Sequence, residues 1–111
     1  LSSKSIIVTS SLAAGSTDNP EHPSAVPNGE VWVISHFGAA DINLGDNKSA
    51  VYALRFGTDI LRVISVTGVT YDIPMKVEIT GNGTKKLNVL RVNNSGSTKQ
   101  CPFWIDAHKR N

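Results

Sequence analysis

Apolar and polar residues alternate in short runs from Lys4 to Ala107, and Gly, Asn, Asp and Pro cut the runs apart. A period of two puts successive side chains on opposite faces of a strand, and no run keeps the longer period of a helix. Residues 4–14 set Ile6, Val8 and Leu12 on one parity against Ile7, Thr9 and Ser11 on the other. Residues 30–37 and 49–56 alternate in the same way. Residues 60–66 are rich in β-branched side chains, which favours a strand over a helix. Residues 69–73 read as a strand that Pro74 ends or marks as an edge, and residues 75–80 carry Met75, Val77 and Ile79 inward. Gly81-Asn82-Gly83-Thr84 reads as a hairpin turn, because Asn-Gly accepts positive φ, with residues 85–93 returning from it. Asn94-Ser95-Gly96-Ser97 turns again before a last strand over residues 98–108. The pattern predicts an all-β, antiparallel β-sandwich, jelly-roll-like, of seven to eight strands. It forms a single domain over residues 1–111, with residues 1–5 as a flexible N-terminal arm.

Two parts of the pattern stand apart. Residues 15–29 are a long polar connection with Pro20, Pro23 and Pro27, which disfavour regular pairing, and long loops in small domains tend to carry function. Residues 30–37 and 60–66 are apolar on both parities. The outer face of a sandwich is normally polar, so a doubly apolar strand expects a neighbour. On this ground Trp32, Ile34 and Trp104 are the candidate interface residues. Trp104 qualifies because it opposes the face of Cys101, Phe103, Ile105 and Ala107.

Composition narrows the classes. The chain has 111 residues, long enough for one core without covalent staples, and its 40% hydrophobic content is too high for disorder. A net charge of +2 from scattered Lys and Arg does not build a nucleic-acid groove. Cys101 is the single cysteine, so no internal disulfide forms. No apolar stretch approaches the roughly 20 residues that span a bilayer as a helix. The opening Leu1-Ser2-Ser3-Lys4 does not read as a secretory signal, and with no initiator Met the chain reads as trimmed or a fragment.

Candidate chemistry is sparse. His22, His36 and His108 share no metal-ligand spacing. Asp41-Ile42-Asn43-Leu44-Gly45 only approaches a calcium loop, and the loop carboxylates suit turn hydrogen bonds better. Ser95-Gly96-Ser97 is a turn rather than a nucleophile elbow, and Cys101 sits on an apolar parity as a small core side chain. Glycosylation sequons occur at Asn47, Asn82 and Asn93, at the rate that an Asn- and Ser-rich chain produces by chance. No catalytic residue, metal site or cofactor is assigned.

Two stretches carry a resemblance. One is Val31-Trp32-Val33-Ile34-Ser35-His36-Phe37-Gly38-Ala39-Ala40-Asp41. The other is Ile79-Thr80-Gly81-Asn82-Gly83-Thr84-Lys85-Lys86-Leu87-Asn88-Val89-Leu90-Arg91-Val92-Asn93-Asn94. Over residues 26–108 the chain resembles small jelly-roll or sandwich proteins of tailed bacteriophage virions: head decoration (cement) proteins and neck, tail or spike modules. The resemblance rests on turn-and-strand patterns and carries over no catalytic residue. It implies a non-enzymatic virion structural protein, assembled in the bacterial cytoplasm. Such a protein self-associates, a trimer being favoured, and binds other virion proteins without nucleic acid or membrane.

The alternative is a carbohydrate- or receptor-binding module, a fibre tip or enzyme appendage, with a glycan stacked on aromatics among Trp32, Tyr52, Tyr71 and Trp104. It predicts two or three aromatics exposed on one surface. A third reading, a cupin-like metal enzyme, requires two histidines and a carboxylate pointing into a barrel.

Overall fold

The computed structural model describes residues 2–40 and 50–110. The strands are β1 (Ile6–Val8), β2 (Ser11–Leu12), β3 (Thr17–Asp18), β4 (Val31–Ala40), β5 (Ala50–Phe56), β6 (Asp59–Val66), β7 (Thr70–Thr80), β8 (Leu87–Asn93), β9 (Lys99–Gln100) and β10 (Phe103–Lys109). Among the described residues there is no helix. One sheet has the order β1-β10-β4-β7, the other β3-β8-β5-β6, and β2 pairs with β9 between them; every pairing is antiparallel. With the two-residue β2 and β9 set aside, the eight remaining strands read 1-8-3-6 and 2-7-4-5 in chain order. That interleaving is a jelly roll. The ten strands exceed the expected seven to eight because residues 4–14 and 98–108 each break into two strands and residues 17–18 add one, while residues 70–80 form a single strand.

The core lies between the sheets. Trp32, Ile34, Phe37, Ala39, Phe103, Ile105 and Ile79 face Tyr52, Leu54, Phe56, Ile64, Val66, Leu87 and Val89. Each fully buried aliphatic or aromatic side chain of this kind stabilises the fold by about 1.5–3 kcal/mol. Tyr52 bridges the layers: its ring is 6.4 Å from Phe103, and its hydroxyl donates to the Ala40 carbonyl at 3.2 Å.

Several expectations change. Gly81-Asn82-Gly83-Thr84 does not close a hairpin, because β7 and β8 belong to different sheets. The turn is built by Asn82, whose Oδ1 accepts from the backbone of Thr84 and Lys85 at 3.0 and 2.9 Å. The link after Asn93 likewise crosses between layers. The tight hairpin is instead β5–β6, where Gly57 (φ 60°) and Thr58 form the two-residue loop; Gly supplies the positive φ at its first position. Of the two expectations for Pro74, the edge one holds and the strand does not end there. Pro74 sits inside β7, an edge strand, where a missing N–H is tolerated. Residues 15–29 are not a free loop either. They run beside β8, with His22 N–H donating to the Leu87 carbonyl at 2.7 Å and Val26 N–H to Lys85 at 3.0 Å. The prolines fit because this run is also an edge. Of the expected arm, residues 2–5 extend the β1–β10 ladder: Lys4 N–H bonds Ala107 at 2.8 Å, and Ser3 bridges His108.

Buried polar groups are placed where the chain changes sheets. Arg91, 1% exposed, points into the interior from β8. Its Nε and Nη2 donate to the two carboxylate oxygens of Asp18 at 2.8 and 2.6 Å, and its Nη1 donates to the carbonyls of Ser10 and Cys101 at 2.9 and 2.8 Å. Asn93 donates to the carbonyls of Leu12 and Ser97, both at 2.9 Å, and accepts from Ser95 N–H at 2.9 Å. No buried side-chain nitrogen or oxygen among the described residues lacks a partner.

His22 is a third such group. Its ring lies 4.9 Å from Trp32, and its Nδ1 accepts from Ser24 N–H at 3.0 Å. Burial, aided by the charges of Lys4 and Lys86, holds its pKa below the ordinary 6.5, against the raising influence of the backbone at Ser24. The unfolded chain therefore takes up this proton more readily than the folded one. The stability due to neutral His22 is complete above about pH 6.5 and declines as pH falls below that value toward the lower folded pKa. Thermal melts should show a loss between pH 7 and pH 5 that His22→Gln flattens. Glu30 acts in a separate window, below its ordinary 4.5, because the Trp32 indole N–H donates to it at 2.9 Å and lowers its pKa.

Candidate functional site

The titratable and nucleophilic residues do not converge. His22 packs on Trp32, while His36 and His108 lie on different strands of the first sheet. His36 Nδ1 lies 3.8 Å from Asp106. Among the described residues, no group of three His, Cys, Asp or Glu side chains is arranged to hold a metal ion. Asp41-Ile42-Asn43-Leu44-Gly45 and the Asn47 sequon lie outside the described residues. Cys101 is a core side chain. A shallow hollow of about 370 Å³ is lined by Asn28, Gly29, Glu30, Val31, Lys109 and Arg110. Its charges are already matched: Lys109 lies 3.7 Å from Glu30, and Arg110 pairs with Glu78.

What remains is the outer faces of the two sheets. On the first, the cross-strand row runs Ile7–Trp104–Gly38–Asp72. The Trp104 indole lies against Gly38 so closely that a Cβ there would come within 2.1 Å of Cε2. Trp104 Nε1–H donates to Asp72 Oδ1 at 3.0 Å and pins the ring. Ile7 at the other end of the row is 73% exposed.

On the second sheet, Leu90, Ala53 and Val63 form one cross-strand row, and Val92 and Val51 lie in the next. These positions have the parity opposite the core residues Tyr52, Leu54, Val89 and Ile64, so they face outward, with Val63 exposed, Val51, Leu90 and Val92 half-buried and Ala53 buried among them. Ile60 lies opposite Arg55 at one end of this face, 62% exposed, and Val63 is 51% exposed. The rim is polar, with exposed Thr17 and Ser65 and half-buried Arg55. An apolar sheet face inside a polar rim is the composition of a contact surface.

Of the three candidate interface residues, Trp32 and Ile34 are 0% exposed and belong to the domain's own core. The reason is a β-bulge. Asp106 and Ala107 are adjacent in β10 yet pair with His36 and Ile34, so Ser35 is an extra residue in β4. Before it the even positions point inward; after it Phe37 and Ala39 do. One bulge thus makes a strand with a single buried face look apolar on both parities. Trp104 alone is on an outer face. The four aromatics also separate: Trp32 and Tyr52 are internal, and Tyr71 has the parity of the core-packed Ile73, opposite to that of Trp104's neighbour Asp72.

Of the apolar outer face of the second sheet, the sequence singled out only the β6 part, residues 60–66, although residues 51–56 and 87–92 also carry apolar side chains on both parities. Periodicity shows that excess strand by strand. Only the register shows that the excess positions adjoin. Neither a protein-family model nor a curated protein matches the chain.

Proposed function

We propose that this chain is a non-enzymatic structural module of a phage virion, a capsid decoration or a neck or tail accessory protein, that works by contact with its own copies and with other virion proteins. The observation that carries the reading is the outer face of the second sheet, where Leu90, Ala53, Val63, Val51 and Val92 adjoin within a polar rim. Covering such side chains removes apolar area from water, at about 25 cal/mol per Å² before the costs of association. Two further features support it. The strand order is that of a jelly roll, the architecture of the phage proteins the sequence resembles. The buried polar groups Arg91, Asn93 and His22 are engaged in holding the chain together rather than converging on a cleft.

Co-sedimentation with purified phage particles tests the proposal. The chain should bind saturably, and Leu90→Ser should weaken binding about tenfold, the effect of roughly 1.4 kcal/mol of lost apolar contact, while the melting curve stays cooperative. Failure to bind any particle, together with glycan binding that Trp104→Ala abolishes, would replace this reading with the carbohydrate one.

A further inference from the structure

A jelly roll made of two open sheets has four long edges, and each is a row of main-chain groups able to pair with another strand. Three of the four are guarded here. The β1 edge, continued by residues 2–5, carries Lys4, and the run that continues β3 along β8 carries Pro20 and Pro23. β7 has Pro74 in its middle and Asp72, Lys76 and Glu78 on its outward parity. Proline, lysine and brevity are the usual means of blocking edge pairing.

β6 is the least guarded: its charges are Asp59, which pairs with Lys85 at the hairpin end, and the single Arg62, opposite Leu54. Its eight residues, Asp59–Val66, contain no proline and no lysine, and among the described residues β5 is the only strand it pairs with. Its bulge, at Leu61, lies near the hairpin end and leaves residues 62–66 in regular register with β5. Ile60 and Val63, its outward apolar side chains, are among the most exposed large hydrophobic residues of the domain.

We infer that β6 is a self-pairing edge: two copies of the chain join β6 to β6 in antiparallel fashion, about a two-fold axis perpendicular to the second sheet, to form one eight-stranded sheet. The inference rests on the contact reading above and names the partner and the route. Unpaired N–H and C=O groups along an edge are best met by another extended strand, so the occupant is a strand. A second copy of β6 is the strand that fits, for two reasons. A two-fold axis makes equal strands antiparallel, which is the pairing already used throughout this fold. An axis passing at Val63 sets Val63 beside its own counterpart. The outer row Leu90–Ala53–Val63 then runs on into Val63, Ala53 and Leu90 of the other copy, as one apolar stripe across the joined sheet. Guarded edges elsewhere stop the assembly at two copies, whereas heterologous contacts would form rings or open filaments. The net charge of +2 per chain is too small to oppose the pairing.

The test uses light scattering on the full chain at high micromolar concentration, with melting curves to confirm that each variant is folded. The expected result is twice the chain mass. The exposed-site double variant Ile60→Lys with Val63→Lys should halve that mass while its melting curve stays cooperative. Val63→Cys in a Cys101→Ser background should cross-link to itself through a short bismaleimide, and Lys76→Cys on the guarded edge should not. A wild-type chain that stays monomeric overturns the inference and the self-association half of the proposed function together. A trimer, or a dimer that the double lysine variant leaves intact, overturns the β6 route alone and leaves the contact reading standing.

Discussion

Arg91→Ala will cost this domain about 3–5 kcal/mol, a large share of the 5–15 kcal/mol that holds a typical domain folded. The size of the effect comes from what the guanidinium does at one place. It ties Ser10, just before β2, and Asp18 of β3 to Cys101, which joins β9 to β10, and it does so from within β8. These are the segments in which the first and last strands pass between sheets, and there the regular ladder is interrupted. Two carbonyls and a carboxylate point inward at the break, and one residue with five donors in a planar fork can serve them all. Alanine removes the donors and leaves a cavity. Lysine keeps the charge but not the fork, so Arg91→Lys should recover only part of the loss. Asp18→Asn should be milder than either, because the Asp18 side chain is 39% exposed and water can compensate. At about 4 °C per kcal/mol for a chain of this size, Arg91→Ala lowers the melting temperature by on the order of 15 °C, read by circular dichroism. Asp18 also holds the Arg91 pKa above its ordinary value, so Arg91 stays charged and contributes no pH dependence of its own in the neutral range.

Gly81→Ala should destabilise by about 3 kcal/mol, at the upper end of the range for forcing extra atoms into a packed site. Gly81 lies where β7 leaves the first sheet, pressed against the chain that leads into β4. A Cβ there would meet the carbonyl oxygens of Pro27 and Val26 at 2.2 and 2.3 Å. Those atoms are backbone, and they are held in place: Val26 N–H bonds Lys85, Gly83 N–H bonds Val26, and Gly29 and Gly81 bond each other's surroundings through Gly81 O and Glu30 O. The whole crossover must shift to admit a methyl group. Gly38→Ala is the useful contrast, because its obstacle is the Trp104 side chain, which can swing away at the cost of its Asp72 hydrogen bond. Gly96→Ala, with nothing within 4 Å, should change stability by less than about 0.5 kcal/mol. Urea titrations of the three variants should rank them in that order, and an unaffected Gly81→Ala would mean that the packing of residues 26–30 on this turn does not contribute to stability.

Much of this molecule is legible in its sequence for a simple reason. Alternation is a local property, and the inward side chains of β5, β7, β8 and β10 follow it position by position. Leu54, Val77, Val89 and Ile105 point where a period of two places them. Polar residues inside that pattern are harder to read. Arg91 and Asn93 occupy inward positions of β8, and nothing nearby in the sequence announces their partners, which are more than 70 residues away for Asp18 and Leu12. The doubly apolar runs divide by the same logic. In β4 the apparent second face is produced by the extra residue Ser35, visible only once β4 is set beside β10. In β6 a bulge accounts for Leu61 in the same way, yet Ile60 and Val63 remain outward. The surface evidence therefore moves from Trp32 and Ile34 to Ile60 and Val63.

By itself the sequence determined the all-β class, the parity of most strands and the positions of the turns, because each depends on residues a few places apart. Tertiary structure decided which turns are hairpins and which are crossovers. Asn82-Gly83 and Gly57-Thr58 are both good turns, and only the sheet to which the next strand belongs tells them apart. It also decided which strand is an edge. An edge is defined by a neighbour that is missing in space, and no local pattern along the chain records that.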